Sequence, residues 1–227
     1  MQDHNLFLDI ETIGAVRQDV REFIANTIKP PATIKLPASL EKWHKESKPE
    51  AVEEAIAKTG LDGAFGQIVV IGYGFDDADE PGAIYGLQED VVLERFNEML
   101  HEHFGPSMYS AVTVVGHNVA NFDLRFLYQR YVVNGIRPHP IINVAVNAKP
   151  WDSTKVFDTM VQFAGVGNRI SLDKLCMALT IASPKGEMDG SMVSQAVADG
   201  RLEEVAAYCK RDVVATRECY RRMTFAS

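Results

Sequence analysis

Hydrophobic positions along this chain change their spacing several times, and each change marks an element. Leu6, Phe7 and Leu8 lie in a short run over 5–10 that predicts a buried strand. From Gly14 to Gly66 the spacing turns helical. Val16 to Ile28 predicts one helix, stopped by Lys29-Pro30-Pro31, and Pro37 opens a charged, Ala- and Glu-rich helical stretch that Thr59-Gly60 ends. Pro49 is expected to divide that stretch in two, since proline lacks the N–H and crowds the carbonyl four residues back. Gln67 to Phe75 is β-rich, and Gly82 to Leu87 follows a polar turn as its pairing partner. Glu89 to Phe104 places Val92, Phe96, Met99 and Leu100 on one side, the pattern of an amphipathic helix. Val112 to Val115 is a further buried strand, Asn121 to Asn134 a helix ended near Gly135, and Leu202 to Met223 a long helix without Gly or Pro.

Strands alternating with helices predict an α/β layered domain. Three strands precede the first crossover, so the sheet is expected to be mixed, with an antiparallel part. The stretch over 14–66 reads as a helical insertion between two strands that would otherwise be neighbours. A length of 227 residues, 46% of them hydrophobic, suits one well-buried domain over 1–227.

Charge and cysteine usage narrow the function. No apolar run approaches the roughly 20 residues of a membrane span, and the N-terminus lacks the basic and apolar regions of a signal peptide. Cys176, Cys209 and Cys219 show no CxxC spacing and read as helix packing residues in a reducing cytoplasm. A net charge of −8 argues against a tight duplex binder, whose footprint is basic. It leaves open an enzyme that holds a strand end weakly through metal-bound carboxylates, because bound divalent ions invert the local charge.

Three short segments carry candidate chemistry. Asp9 and Glu11 stand two apart on the first strand, so both carboxylates leave the same face, roughly 6.6 Å apart along it. Such a pair suits two divalent ions about 3.5–4 Å apart, though an exposed strand end has the same pattern. Asp123, in Gly116-His117-Asn118-Val119-Ala120-Asn121-Phe122-Asp123, follows a buried strand, where open α/β sheets place ligand sites. Helix capping explains it equally well, with Asn121 as the cap. Tyr208 and Asp212 are four apart in the final helix, roughly 400° of rotation, and therefore share a face. A hydroxyl and a carboxylate pointing together can orient a water.

In type, order and spacing these segments resemble the three motifs of the DnaQ-like superfamily of 3′→5′ exonucleases, in its DEDDy branch: D-x-E, N-x-x-x-F/Y-D and Y-x-x-x-D. The phrase from Gly116 to Leu124 is most similar to the proofreading exonuclease of family B DNA polymerases and to stand-alone predicted exonucleases related to it. The resemblance covers most of the chain outside 14–66. It implies a ribonuclease H-like fold, a mixed five-stranded sheet flanked by helices, and the release of nucleoside 5′-monophosphates from single-stranded 3′ ends of DNA or RNA. It also implies two divalent cations, Mg2+ or Mn2+. Asp9, Glu11 and Asp212 would hold one, Asp9 would bridge to the other, and Asp123 would support that second ion. Tyr208 would orient the attacking water, and Thr12, Asn118 and Asn121 would contact the substrate. Two other readings stay open: a ribonuclease D-like exoribonuclease, which also ends in Y-x-x-x-D, and a silent nucleic-acid-binding module. Asp158 stands where many members of that superfamily carry an Asp at a strand-to-helix turn, and a helix N-cap explains it at least equally well. Trp43, Phe126 and Trp151 are candidates for stacking on bases, with core packing the commoner role.

Overall fold

Strand β1 (His4–Ile13) forms the centre of a five-stranded sheet and organises everything around it. The computed structural model describes residues 4–76, 80–105, 111–149, 152–184, 186 and 188–226. Trp151 and part of the turn over 76–82 lie outside them. On one side β1 pairs antiparallel with β2 (Gln67–Phe75), which pairs antiparallel with β3 (Gly82–Tyr85). On the other side it pairs parallel with β4 (Val112–Gly116), which pairs parallel with β5 (Val156–Asp158). The order β3-β2-β1-β4-β5 is the mixed sheet expected from the strand pattern.

Strand β1 runs three residues beyond the apolar run seen in the sequence, because β-branched Thr12 and Ile13 continue the ladder opposite Ile68 and Gln67. Asp9 and Glu11 therefore sit inside the strand, with a β-bulge just after them. The bulge leaves Val69 as the extra residue of β2, and Val69 and Val70 both join the same apolar cluster.

Alternation along β1 separates two layers. Leu6, Leu8 and Ile10 enter the main core with α4 (Glu89–Phe104), α5 (Asp123–Asn134) and α6 (Pro140–Val146). Val92, Phe96 and Leu100 of α4 are buried there, and Met99 is partly buried against them. Phe96 is wholly buried, so truncating it to alanine would cost about 3–5 kcal/mol. Phe7 enters the opposite layer with Val115 and Val213, and Asp9 and Glu11 follow on that face. This second layer is built by α10 (Leu202–Met223), about 33 Å long, supported by α7 (Thr159–Ala164), α8 (Leu172–Leu179) and α9 (Val193–Ala198).

Between β1 and β2 the chain makes α1 (Gln18–Thr27), α2 (Pro37–Lys42) and α3 (Lys48–Lys58) around a small core of Ala15, Val20, Ile24 and Ile56. The second stretch is divided into two α-helices as expected, but the division lies just before Pro49 and the chain stays helical through it. Trp43–Ser47 forms a π-helical turn, and the N–H of Lys48 bonds the carbonyl of Trp43 five residues back. The wider turn accommodates the proline ring that an α-turn would crowd. Trp43 and Phe126 are both buried, which gives them to packing rather than to base stacking.

Candidate active site

The carboxyl end of β1 is where the three segments meet. Strand β4 leaves the sheet at Gly116, so β1 loses its parallel neighbour after Phe7, and the N–H of Ile10 needs another acceptor. Asp123 supplies it: Oδ1 accepts from Ile10 N at 3.0 Å, with the side chain only 3% exposed at the first turn of α5. Helix α10 lies across the same face and brings Tyr208, Cys209 and Asp212 over Asp9 and Glu11. Gly72, opposite Asp9 in the ladder, permits that approach, since a Cβ there would lie 2.7 Å from Cys209 Sγ. Cys209 Sγ donates to Asp9 Oδ2 at 3.2 Å. Asp9, Glu11 and Cys209 each place an atom of metal-ligand type within 4.8 Å of the others.

Electrostatics tie the four carboxylates into one group. Burial raises Asp9 well above the usual carboxylate range, the charges of Asp123, Glu11 and Asp212 raise it further, and the Cys209 thiol pulls it back. Burial, Asp212 and Asp123 do the same to Glu11. Burial lifts Asp123 to about 7 against the lowering effect of the backbone N–H groups of Asp123 and Ile10. Asp212 is lifted to about 6 by burial, opposed by its hydrogen bond with Tyr208 and by the charge of Arg211. Tyr208 is raised above its ordinary value by burial and then by Asp212 and Glu11, so its hydroxyl keeps its proton. Buried anions crowded in this way are stable only protonated or with a countercharge.

Thr12, Asn118 and Asn121 stand apart from this group: among the described residues none of the three hydrogen-bonds to its carboxylates. Thr12 Oγ1 donates to Gly60 O, which ties β1 to the end of the insertion. Asn118 has φ 61, and its carbonyl accepts from Asn121 N and Phe122 N. Asn121 is exposed and does not cap α5; Phe122 occupies the cap position and Asp123 begins the helix. The turn closed on the Asn118 carbonyl by the N–H groups of Asn121 and Phe122 precedes the helix, which starts two residues after Asn121.

Three other residues differ from the sequence reading or add to it. Asp158 is the N-cap of α7, accepting from Met160 N and Val161 N, and it also takes Asn118 N at 3.0 Å and Ala120 N at 3.1 Å. One buried carboxylate thus fixes the loop that leads to Asp123. Arg211, three residues after Tyr208 in α10, places its guanidinium 5.7 Å from the centre of the Tyr208 ring, and its Nε donates to Pro184 O. Cys209 packs as expected and in addition touches Asp9; the partner lies 200 residues away, which no local pattern reveals. Cys176 and Cys219 are buried together with sulfurs 3.7 Å apart.

Among solved structures, the chain is similar to the family B DNA polymerase of the hyperthermophilic archaeon Pyrobaculum calidifontis. The TM-score is 0.57 and the identity 13%, over 99% of this chain and 25% of that one. The chain therefore spans a quarter of that polymerase, and the likeness is one of fold, a ribonuclease H-like α/β sheet flanked by helices. No curated protein matches the sequence significantly. A family model described as a predicted 3′-5′ exonuclease related to the exonuclease domain of PolB matches residues 63–227, a span that holds Asp123, Tyr208 and Asp212 but begins after Asp9 and Glu11. With well over half its length matched, the chain belongs to this family of predicted 3′-5′ exonucleases.

Proposed function

We propose that this exonuclease hydrolyses the terminal phosphodiester bond at the 3′ end of single-stranded nucleic acid, DNA in preference to RNA, with two divalent cations. Water adds to the terminal phosphorus, the bond from phosphorus to the 3′ oxygen of the preceding nucleotide breaks, and a nucleoside 5′-monophosphate leaves. The observation that carries this reading is the convergence of Asp9, Glu11, Asp123 and Asp212, each with its proton affinity raised by burial first. Four crowded carboxylates, opposed by the charge of Arg211 on Asp212, suit ions from solution.

The donor set fits magnesium or manganese. All four carboxylates offer hard oxygen, and none of the four positions is a His or Cys of the kind zinc prefers. Asp9, Glu11 and Asp212 would hold one ion, with Asp9 shared and Asp123 supporting the second. When bound, such a pair stabilises the attacking and leaving oxygens of an in-line displacement. Tyr208 keeps its proton on Oη, is fixed by Asp212 and by the Arg211 guanidinium over its ring, and orients the water by hydrogen bonding. Thr12, Asn118 and Asn121, outside the carboxylate group, would contact the terminal nucleotide. The chain over 1–227 acts as one catalytic domain, and α1 to α3 tune substrate choice.

Incubation of end-labelled single-stranded DNA and RNA with the protein and Mn2+ tests the reading. Stepwise shortening from the 3′ end, abolished by EDTA, is the expected result. Full activity in excess EDTA, or internal cuts, would overturn it.

A further inference from the structure

Among the described residues, the carboxylate of Asp9 has one hydrogen-bond donor, and that donor is a thiol. Cys209 Sγ lies 3.2 Å from Asp9 Oδ2 and 3.5 Å from the carbonyl oxygen of the same residue, and Cys209 is wholly buried. The contact joins residues on the central strand and the last helix. It exists because Gly72 leaves room for sulfur between the strand and the helix.

A carboxylate at a strand position turns easily about its last torsion, which is broad and roughly two-fold. Glu11, Asp123 and Asp212 all act on Asp9 with like charge, so nothing from that side fixes its plane. Resting on the reading that Asp9 is the shared cation ligand, we propose that Cys209 is a positioning residue. Its S–H donates to Asp9 Oδ2 and holds the carboxylate in the orientation in which it receives cations. Partners that orient a ligating group in this way are worth about 10–100-fold in metal affinity or activity.

The competing role is packing alone, since Cys209 also belongs to the apolar cluster of Val69, Val70, Val205 and Ala206. The two roles predict opposite rank orders. For packing, Cys209→Ala is better tolerated than Cys209→Ser, because serine puts a hydroxyl among apolar side chains. For positioning, serine keeps a donor and alanine does not.

The test uses the full chain and its Cys209→Ala and Cys209→Ser variants, with Mn2+ affinity by calorimetry and single-turnover cleavage of end-labelled single-stranded DNA. Alanine is expected to weaken Mn2+ affinity or the rate by about 10–100-fold, and serine to recover most of that loss. An alanine variant equal to wild type, or a serine variant below alanine, overturns the proposal. Wild type that neither binds Mn2+ nor cleaves overturns the metal reading and this inference with it. Wild type that does both beside an indifferent alanine variant overturns this inference alone. If the alanine variant fails to fold, the infrared S–H stretch of wild type, assigned by its loss in Cys209→Ser, decides. It should shift to higher frequency in Asp9→Ala, and an unshifted band overturns the hydrogen bond.

Discussion

Glu89 and Asp9 are both carboxylates turned into the protein, and their surroundings are opposite. Glu89, 7% exposed at the start of α4, accepts Ile68 N at 2.7 Å, Asn134 Nδ2 at 2.8 Å and a fork from Arg130 whose shortest arm is 2.7 Å. Arg130 places its remaining donors on the carbonyls of Gly63 and Ala64. The charges cancel, and every partner comes from the chain. Asp9 meets Glu11, Asp123 and Asp212, and among the described residues the four take hydrogen bonds from a thiol, a tyrosine hydroxyl and backbone N–H groups, with the charge of Arg211 beside Asp212. One arrangement is complete and fastens the insertion's end to α4, α5 and the start of β2. The other carries an excess of negative charge that the fold bears at a cost. A buried acidic group points to function when its countercharge is missing, and to architecture when it is present.

The largest expected effect comes from removing one charge of the incomplete group. Asp9→Asn or Asp212→Asn should lower cleavage by about 10³-fold or more, since metal-held transition-state charge is worth several kcal/mol. The same change should raise the melting temperature of the metal-free protein, because one of several mutually repelling, half-buried or buried carboxylates has gone. Near-normal turnover in either variant would remove that residue from the proposed site.

Next in size is Tyr208→Phe. The hydroxyl, held protonated beside Asp212, is lost while the ring and its contact with Arg211 remain. Turnover should fall roughly 10²–10⁴-fold in kcat with little change in KM, as for an interaction made mainly in the transition state. Steady-state kinetics with saturating Mn2+ measure this, and equal kcat would leave Tyr208 a packing residue.

Arg130→Met breaks the complete arrangement and should act in the opposite sense on stability. It leaves Glu89 buried without its cation, a loss of about 3–5 kcal/mol. At about 2–4 °C per kcal/mol for a chain of this size, the melting temperature should drop by roughly 6–20 °C. Mn2+ affinity should hold in the folded fraction, because Arg130 faces the other layer. A variant as stable as wild type would show that the buried pair contributes nothing net.

The two arrangements were not equally legible in the sequence. Asp9 with Glu11, and Tyr208 with Asp212, share faces by the periods of their own elements, so a local reading suffices for each pair. The bounds of β2, α4 and α10 were legible for the same reason, since long periodic runs fix both ends. The Glu89–Arg130 pair joins two helices 41 residues apart and has no local signature. Helices α6 to α9 have only 6–8 residues each, too few to establish a period. Asn121 looked like a cap because its residue type caps well, and the turn at Asn118 overrode that preference. Cys209 was legible as a buried helix position, but its contact with Asp9 depends on Gly72 in a third element.

The smallest expected effect follows from the protons the incomplete group carries. Asp123 rises from 3.8 to about 7 and Asp212 from 3.8 to about 6 in the folded chain, in both cases through burial first. A group whose folded value is raised binds its proton more tightly in the folded state. Its contribution to stability is therefore fully present below the unfolded value and disappears as pH rises through the folded one. Between about pH 4 and pH 7 these two carboxylates should make the metal-free protein progressively less stable. Mn2+ held by these carboxylates, as proposed, should compete with the same protons, binding weakly at low pH and replacing them at high pH. The rise in melting temperature on adding Mn2+ should then be slight at pH 5.5 and several degrees larger at pH 8. Asp212→Asn should flatten that dependence, because one of the titrating carboxylates is gone, whereas Arg130→Met should leave it unchanged. A Mn2+-induced shift of equal size at both pH values would mean that the ions do not displace protons from these carboxylates, and would separate the acidic group from metal binding altogether.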